Sequence, residues 1–446
     1  MTKKTKKFHL IVFGCQMNTS DAERLATVLK KIGYTETQNE KEADLIGLVA
    51  CSVRQAAVDR IYGKLREWQL IKKKRSLITL LSGCVLPQDK KKLADKFDIF
   101  VDINHLENLT KNLKVIDQQR RLNDYFDFFA IDPSYSSKYR AYVPIMTGCN
   151  KFCTYCAVPY TRGREVSRPS QKIIAEVKNL LSKGYKEIIL LGQNVNSYGL
   201  DLSSETPRLS RAARSAVSRG KEEIKFPELL KKVDALGKNF WLKFLTSHPY
   251  DMSDELIQAM ASAKNLNHYL HFPVQSGSDE ILQKMNRHYS IAHYKKLIKK
   301  IRQAIPDIAI STDIIVGFPT ETEAQFKQTL KLVKEVNYNT AYFAQYSPRS
   351  GTTSAKLYKD DVPKAVKKRR WQELNKLIGQ QSLAFNKKLV GQTELVLMDE
   401  NKKGKLANYT TVNIVSKKTL NVGTFVKVKI TKALNWGVEA DLVEKL

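Results

Sequence analysis

Short apolar runs alternate with amphipathic stretches along most of the chain. Residues 8–13 are mostly apolar and too few for a helix, which fits a strand buried in a parallel sheet. Leu25, Val28, Leu29 and Ile32 recur at helical spacing, with Thr19, Ser20 and Asp21 ahead of them as N-cap candidates and Gly33 at the helix end. Apolar runs at 43–50, 76–81 and 99–101 predict three more strands. Between them, residues 53–74, with Val58, Ile61, Leu65 and Leu70 on the apolar side, and residues 88–97 predict helices. A polar and aromatic stretch at 122–138 breaks the pattern and reads as a linker.

A second series follows. Apolar runs at 142–146, 187–191, 241–245, 269–274, 309–316 and 340–346 are separated by helical stretches such as 173–183, 291–305 and 323–336. Six alternating units predict a parallel, incomplete (β/α)6 barrel with its chemistry at the carboxyl ends of the strands. After a basic helix over 362–388 the period changes to two. Residues 394–398, 411–415 and 424–430 read as strands, with Val426, Val428 and Ile430 facing a core and Lys427 and Lys429 facing out. The expectation is an α/β protein of three domains and a linker: a parallel α/β domain over 1–121, a linker over 122–138, a central barrel over 139–388 and a small β-barrel over 389–446.

Charge changes the picture more than length does. Over 446 residues the formal net charge is +30. Such an excess of Lys and Arg points to a polyanionic partner, nucleic acid first, because these side chains neutralise phosphates and release counterions. In the small barrel Lys402, Lys403, Lys405, Lys417, Lys418, Lys427 and Lys429 are the candidate phosphate contacts. The apolar run at 8–13 stops at Gly14-Cys15-Gln16, short of a secretory signal, and no run reaches the length of a transmembrane helix. The expectation is a cytoplasmic monomer with no membrane partner and reduced thiols available to bind metal.

The six cysteines fall into two sets of three. Cys149, Cys153 and Cys156 stand at C-x3-C-x2-C directly after a predicted strand. Three thiolates on one tight loop can hold three irons of a [4Fe-4S] cluster and leave the fourth iron open to a reactant. A structural zinc site would favour paired knuckles and four protein ligands. Cys15, Cys51 and Cys84 each follow the carboxyl end of a predicted strand. In a parallel sheet those three loops share one edge, where open α/β folds bind ligands. Three thiolates there could hold a second cluster, with Asn18 and Ser52 either hydrogen-bonding it or capping helices.

The loop Cys149-Asn-Lys-Phe-Cys153-Thr-Tyr155-Cys156 resembles that of the radical S-adenosylmethionine enzymes. The resemblance implies that the open iron binds S-adenosylmethionine, that the cofactor is cleaved to a 5′-deoxyadenosyl radical, and that Tyr155 lies beside the adenine. With Gly14-Cys15-Gln16-Met17-Asn18, Cys51-Ser52-Val53-Arg54 and Ser82-Gly83-Cys84-Val85, the chain resembles the methylthiotransferase branch of that family. That branch joins an N-terminal three-cysteine domain, a radical domain and a TRAM-like RNA-binding barrel, and uses two [4Fe-4S] clusters. Val49-Ala50 and Leu86-Pro87 depart from its usual text beside two ligands without removing either. Thr320 stands where a Gly is usual, and Ser350 and Thr353 replace usual prolines.

The residues at the ends of the central strands are the next candidates: 192–196, 246–249, 275–278 and 317–319. Their amides and hydroxyls could bind the cofactor or a base, or cap the loops. Gln193 and Asn194 are the foremost cofactor-binding candidates, and His248 reads as a turn residue. The phrases at 192–198, 247–249 and 273–278 resemble the group acting on isopentenyladenosine-37 of tRNA. The resemblance thus implies a tRNA methylthiotransferase that makes the 2-methylthio derivative, with the anticodon stem-loop, a reductant and a sulfur source as partners. Alternatives are threonylcarbamoyl-adenosine or a ribosomal-protein aspartate as substrate, or a zinc-bearing RNA-binding protein without catalysis. Residues 203–222, rich in Ser and Arg, read as a solvated insertion or as an added contact to tRNA.

Overall fold

The computed structural model describes residues 5–51, 55–106, 109, 128–202, 224–416 and 418–445. Ser52, Lys417, the insertion at 203–222 and the first part of the expected linker lie outside them. The chain forms two compact units. The first holds residues 1–136, 147–165 and 348–357, and the second holds 137–146, 166–347 and 358–446. The cysteine loop of the central domain therefore belongs with the N-terminal sheet, and the small barrel belongs with the central strands.

The first unit is built on a five-stranded parallel sheet, β1 (Lys7–Phe13), β2 (Thr35–Glu36), β3 (Leu45–Cys51), β4 (Ile78–Cys84) and β5 (Ile99–Phe100), in the order β2-β1-β3-β4-β5. Helix α1 (Gln16–Lys31) covers one face, where Phe8, Leu25, Leu29 and Leu80 are fully buried. Helices α2 (Gln55–Lys72) and α3 (Pro87–Leu93) accompany the core of the other face, built around Ile46, Leu48, Ile61 and Trp68. Both faces are covered, which is why β3 reads as an unbroken apolar run.

Three sequence expectations need correction here. Helix α1 starts at Gln16 with Cys15 as its N-cap, so Ser20 and Asp21 lie inside the helix, both fully buried. Leu70 is 62% exposed, and Trp68, 1% exposed, takes the apolar side of α2. Three residues on from Leu65 keeps Trp68 on the same face, whereas five turns Leu70 away. The end of the expected linker is core: Phe128, Phe129 and Ile131 are buried in the N-terminal cluster. Glu23 fixes the chain just beyond, accepting from Ser136 N at 2.9 Å and Ser136 Oγ at 2.7 Å.

The second unit carries six parallel strands. Strand β6 is Arg140–Pro144; two short strands, β7 (Met146–Thr147) and β8 (Val166–Ser167), flank the cysteine loop. Then come β9 (Glu187–Leu191), β10 (Trp241–Phe244), β11 (Tyr269–His271), β12 (Ala309–Val316) and β13 (Thr340–Gln345). They form two three-stranded sheets, β10-β9-β6 and β11-β12-β13. Leu242 joins the two by hydrogen bonds with Asn265 O at 2.7 Å and Asn267 N at 2.8 Å. The expected incomplete barrel is thus two parallel sheets linked by an isolated bridge between Leu242 and Leu266, ahead of β11.

The C-terminal segment is a closed five-stranded barrel of β14 (Thr393–Glu400), β15 (Lys403–Leu406), β16 (Thr411–Val415), β17 (Phe425–Leu434) and β18 (Gly437–Lys445). Val426, Val428 and Ile430 fill its core, as their period-two pattern predicts. Strands β15 and β18 were not legible in the sequence. The barrel packs on residues at the amino ends of the central strands. Trp241 meets Phe425 at 5.2 Å, Tyr269 meets Tyr409 at 5.1 Å, and Arg140 pairs with Asp399 at 2.6 Å.

Lys243 is caught in this contact. It is 1% exposed, its Nζ lies 2.7 Å from the centre of the Tyr409 ring, and it has no hydrogen-bond partner among the described residues. Burial holds its pKa well below the ordinary lysine value. The unfolded chain therefore binds more protons in the window from that depressed value up to about 10.5, and stability rises with pH across it. Lys243→Met is expected to stabilise the protein at neutral pH by about 1–3 kcal/mol, the cost of a buried polar group left without a hydrogen-bond partner. Denaturation midpoints should show that advantage shrinking as pH rises toward 10. A second expectation concerns Thr320, a β-branched residue held at φ 70°. Thr320→Gly should stabilise by about 0.5–1 kcal/mol, the strain released less the added freedom of Gly in the unfolded chain, read as a shift in the denaturant midpoint.

Candidate active site: two sets of cysteines in one compact unit

Strand order decides where the first set stands. In the order β2-β1-β3-β4-β5 the switch point lies between β1 and β3, the place where such sheets bind ligands at the carboxyl ends of their strands. Cys15 follows β1, while Cys51 and Cys84 are the last residues of β3 and β4 and are directly opposite each other in register. Gly83 permits this at φ 102°, since a Cβ there would stand 2.4 Å from Ala50 O. Asn18 links the set. Its Oδ1 accepts from Cys15 N at 3.3 Å and from Cys15 Sγ at 3.6 Å, and its Nδ2 points to Cys84 Sγ at 3.8 Å.

The second set lies on the loop that leads to the short helix Val158–Arg162. Gly148, at φ 80°, starts the loop, and a Cβ on it would lie 1.9 Å from Arg164 O. Cys149 N donates to Gly163 O at 3.2 Å and Cys156 N to Cys153 O at 2.9 Å. Between the first two cysteines Phe152 sits at φ 49°, an uncommon conformation for a bulky residue. Arg164 lies over its ring at 4.3 Å, and Asn150 and Glu165 hydrogen-bond each other across the loop. Residues 348–357 complete the support. Ser354 N donates to Thr154 O at 2.7 Å, and Arg349 pairs with Asp89 of α3 at 2.7 Å.

Three of the thiols are held in a protein environment that disfavours their charge. The pKa of Cys84 is raised well above its ordinary value, first by its hydrogen bond with Cys51 and then by burial. Cys15 is raised by desolvation and by Cys84, and burial pushes Cys149 up to about 12. Without metal these thiols are protonated at neutral pH, and ligation must release their protons. Among the described residues no three His, Cys, Asp or Glu side chains are arranged to share one metal ion. Cluster ligands each bind a different iron, so they stand further apart than ligands around one zinc, and the donor set fits an iron–sulfur cluster on its chemistry.

The structure also brings in two residues that the sequence reading missed. Arg162, 4% exposed, donates from Nε to Cys84 Sγ at 2.9 Å, and its two terminal nitrogens donate to the buried carboxylate of Asp21. Asp21 had been read as an N-cap candidate. Arg162 follows the third cysteine by six positions, and nothing in its local sequence separates it from Arg164.

In the second unit the strand-end loops are laced together. Asn194, 1% exposed, donates to Ser197 Oγ at 3.1 Å and to Asp251 Oδ2 at 2.6 Å, and accepts from His248 N at 3.2 Å. Its polar atoms brace the loop. Gln193 differs: its Oε1 is buried with no hydrogen-bond partner among the described residues, so it remains available to a ligand. His248 accepts from Tyr250 N at 3.2 Å, as a turn residue does. Thr246 and Gln275, at φ 70° and 72°, put strained backbone at two of these strand ends. Tyr155 is half-buried in the first unit. Lys402, Lys403, Lys418, Lys427 and Lys429 are exposed on the small barrel, whereas Lys405 turns inward to Thr411 Oγ1 at 2.6 Å and is corrected as a phosphate contact.

Comparison with known proteins gives these features a lineage. Residues 143–333 match the Radical SAM superfamily, and residues 7–103 match the Uncharacterized protein family UPF0004. The chain is 41% identical to a tRNA-2-methylthio-N(6)-dimethylallyladenosine synthase of Clostridium botulinum, over 98% of this chain and 96% of that one. It is 39% identical to the protein of the same name from Carboxydothermus hydrogenoformans, over 98% and 99%. Among solved structures its fold is similar to TsrM of Kitasatospora setae, a radical S-adenosylmethionine methyltransferase with cobalamin and a [4Fe-4S] cluster bound. That match has TM-score 0.53 and 13% identity, covering 78% of this chain and 77% of that one. At 41% and 39% identity to such relatives over 98% of its length, this chain belongs to the tRNA-2-methylthio-N(6)-dimethylallyladenosine synthase family of radical S-adenosylmethionine enzymes.

Proposed function

We propose that this protein is a tRNA methylthiotransferase that converts N6-isopentenyladenosine-37 to its 2-methylthio derivative. The observation that carries the reading is the presence of all six cysteines, in two sets of three, within one compact unit. Cys149, Cys153 and Cys156 would hold one [4Fe-4S] cluster and Cys15, Cys51 and Cys84 a second. Bound there, the clusters and S-adenosylmethionine would supply reductive cleavage of the sulfonium and the methylthio group, drawing on an external reductant and sulfur source.

The chain's own part is placement and exclusion of water. Burial of Cys84 and Cys153, 5% and 8% exposed, keeps solvent from the ligand sulfurs. Tyr155 offers a ring to the adenine of the cofactor, and the Oε1 of Gln193 can accept from a ribose hydroxyl or an amino group. The closed barrel over 389–446 acts as a TRAM-like RNA-binding module, its exposed lysines meeting phosphates of the anticodon stem-loop. The target base must leave its stack to reach a buried centre. The product named for the relatives favours prenylated adenosine over threonylcarbamoyl-adenosine or a ribosomal-protein aspartate.

The test is mass spectrometry of tRNA nucleosides from a host lacking its own enzyme and expressing this chain. Methylthio-isopentenyladenosine is expected, and it should vanish with Cys153→Ala along with 5′-deoxyadenosine production. Methylthio-threonylcarbamoyl-adenosine in its place would overturn the substrate. Gly148→Ala, which forces a Cβ onto Arg164 O, is expected to lower bound iron by roughly half, because one of the two proposed clusters loses its loop.

A further inference from the structure

The cysteine loop carries a buried cation that belongs to neither set of ligands. Arg162 closes the short helix Val158–Arg162, two residues after Tyr160, whose hydroxyl meets Thr353 Oγ1 at 3.0 Å. Its side chain is 2% exposed and that of its partner Asp21 is 0% exposed. One carboxylate balances one guanidinium, in a forked geometry that uses both Asp21 oxygens. The Nε–H donor is directed at Cys84 Sγ, 2.9 Å away. Asn18 closes the circuit, donating to Asp21 Oδ2 at 3.3 Å while its Oδ1 receives Cys15. Thus one guanidinium, presented by the loop of Cys149, Cys153 and Cys156, reaches a sulfur of the other set.

We infer that Arg162 is a positioning residue that sets the reduction potential of a cluster on Cys15, Cys51 and Cys84, with Asp21 setting how much of its charge the cluster feels. The inference rests on the proposed second cluster. Potentials of iron–sulfur clusters respond to net charge and to hydrogen bonds on the sulfurs. An N–H donor and a buried positive charge beside a ligand thiolate favour the reduced, more negative state, so they raise the potential. Asp21 opposes that charge across the same contact. In a water-poor site both effects are large, because solvent does not screen them.

The two residues therefore have opposite signatures, which a purely structural role would not produce. The experiment uses the full chain with Cys149, Cys153 and Cys156 replaced by Ala, leaving only the N-terminal site, and EPR-monitored potentiometric titration. Arg162→Met is expected to move the midpoint potential negative. Asp21→Asn, which keeps shape and removes the counter-charge, is expected to move it positive. Arg162→Lys should lie between wild type and Arg162→Met, because it keeps the charge and loses the fork. If Arg162→Met does not hold its iron, Asp21→Asn and Arg162→Lys still carry the test.

Unmoved potentials, or shifts of the same sign for Asp21→Asn and Arg162→Met, would overturn the inference. Iron and sulfide analysis separates that failure from failure of the proposed function. About eight irons per wild-type chain with unmoved potentials removes only the role of Arg162, whereas about four removes the second cluster and this inference with it.

Discussion

A guanidinium without water needs a carboxylate, and the first unit is arranged around that requirement. Asp21 lies inside α1 with no exposed surface, a position that an ionised carboxylate tolerates only when paired. Its partner is far along the chain, on the helix that follows the cysteine loop. Meeting it draws residues 147–165 into the same compact unit as the N-terminal sheet. Replacing one member alone would leave the other buried and uncompensated, which costs more than the pair contributes. The pair therefore specifies where the loop goes more than it stabilises the fold.

The second unit divides its labour by the direction of its strands. At their amino ends Arg140, Trp241, Lys243 and Tyr269 form the seat of the small barrel through Asp399, Phe425 and Tyr409. The loops at the carboxyl ends are left for chemistry, as the topology of parallel barrels dictates. There the backbone is strained at Thr246 and Gln275, and side chains such as Asn194 and His248 tie one loop to the next. Gln193 stands apart in that network, its buried acceptor without a hydrogen-bond partner among the described residues. The seat of the barrel carries its own cost in Lys243, a buried amine that the Tyr409 ring only partly compensates.

Periodicity carried far in the parallel sheets because strands such as β3, β9 and β10 are buried on both faces. The runs at 187–191 and 309–316 coincide with β9 and β12, and the helix over 323–336 coincides with the observed one. Where periodicity failed, tertiary contacts had overridden local preference. Ser20 and Asp21 favour caps, yet burial and partners hold them in a helix. Phe128, Phe129 and Ile131 look like linker but fill the N-terminal core. Strand β15, at four residues with Gly404 among them, has too little pattern to read, and β18 alternates acidic with apolar residues only loosely.

By itself the sequence determined most strands of the parallel sheets, the alternation that makes those sheets parallel, and the places of the six cysteines at or after the ends of strands. It also determined the excess of positive charge and the motifs of the family. Those depend on neighbours a few positions apart, and such neighbours are visible in a string. Only the tertiary structure decided that Cys51 and Cys84 are directly opposite each other, that Arg162 reaches Cys84 and Asp21, that Asn194 braces a loop, and that Lys405 turns inward. All but the last are set by the pairing of groups distant in sequence. That pairing follows from the need to satisfy buried charge and hydrogen bonds in three dimensions, for which a linear pattern leaves no mark.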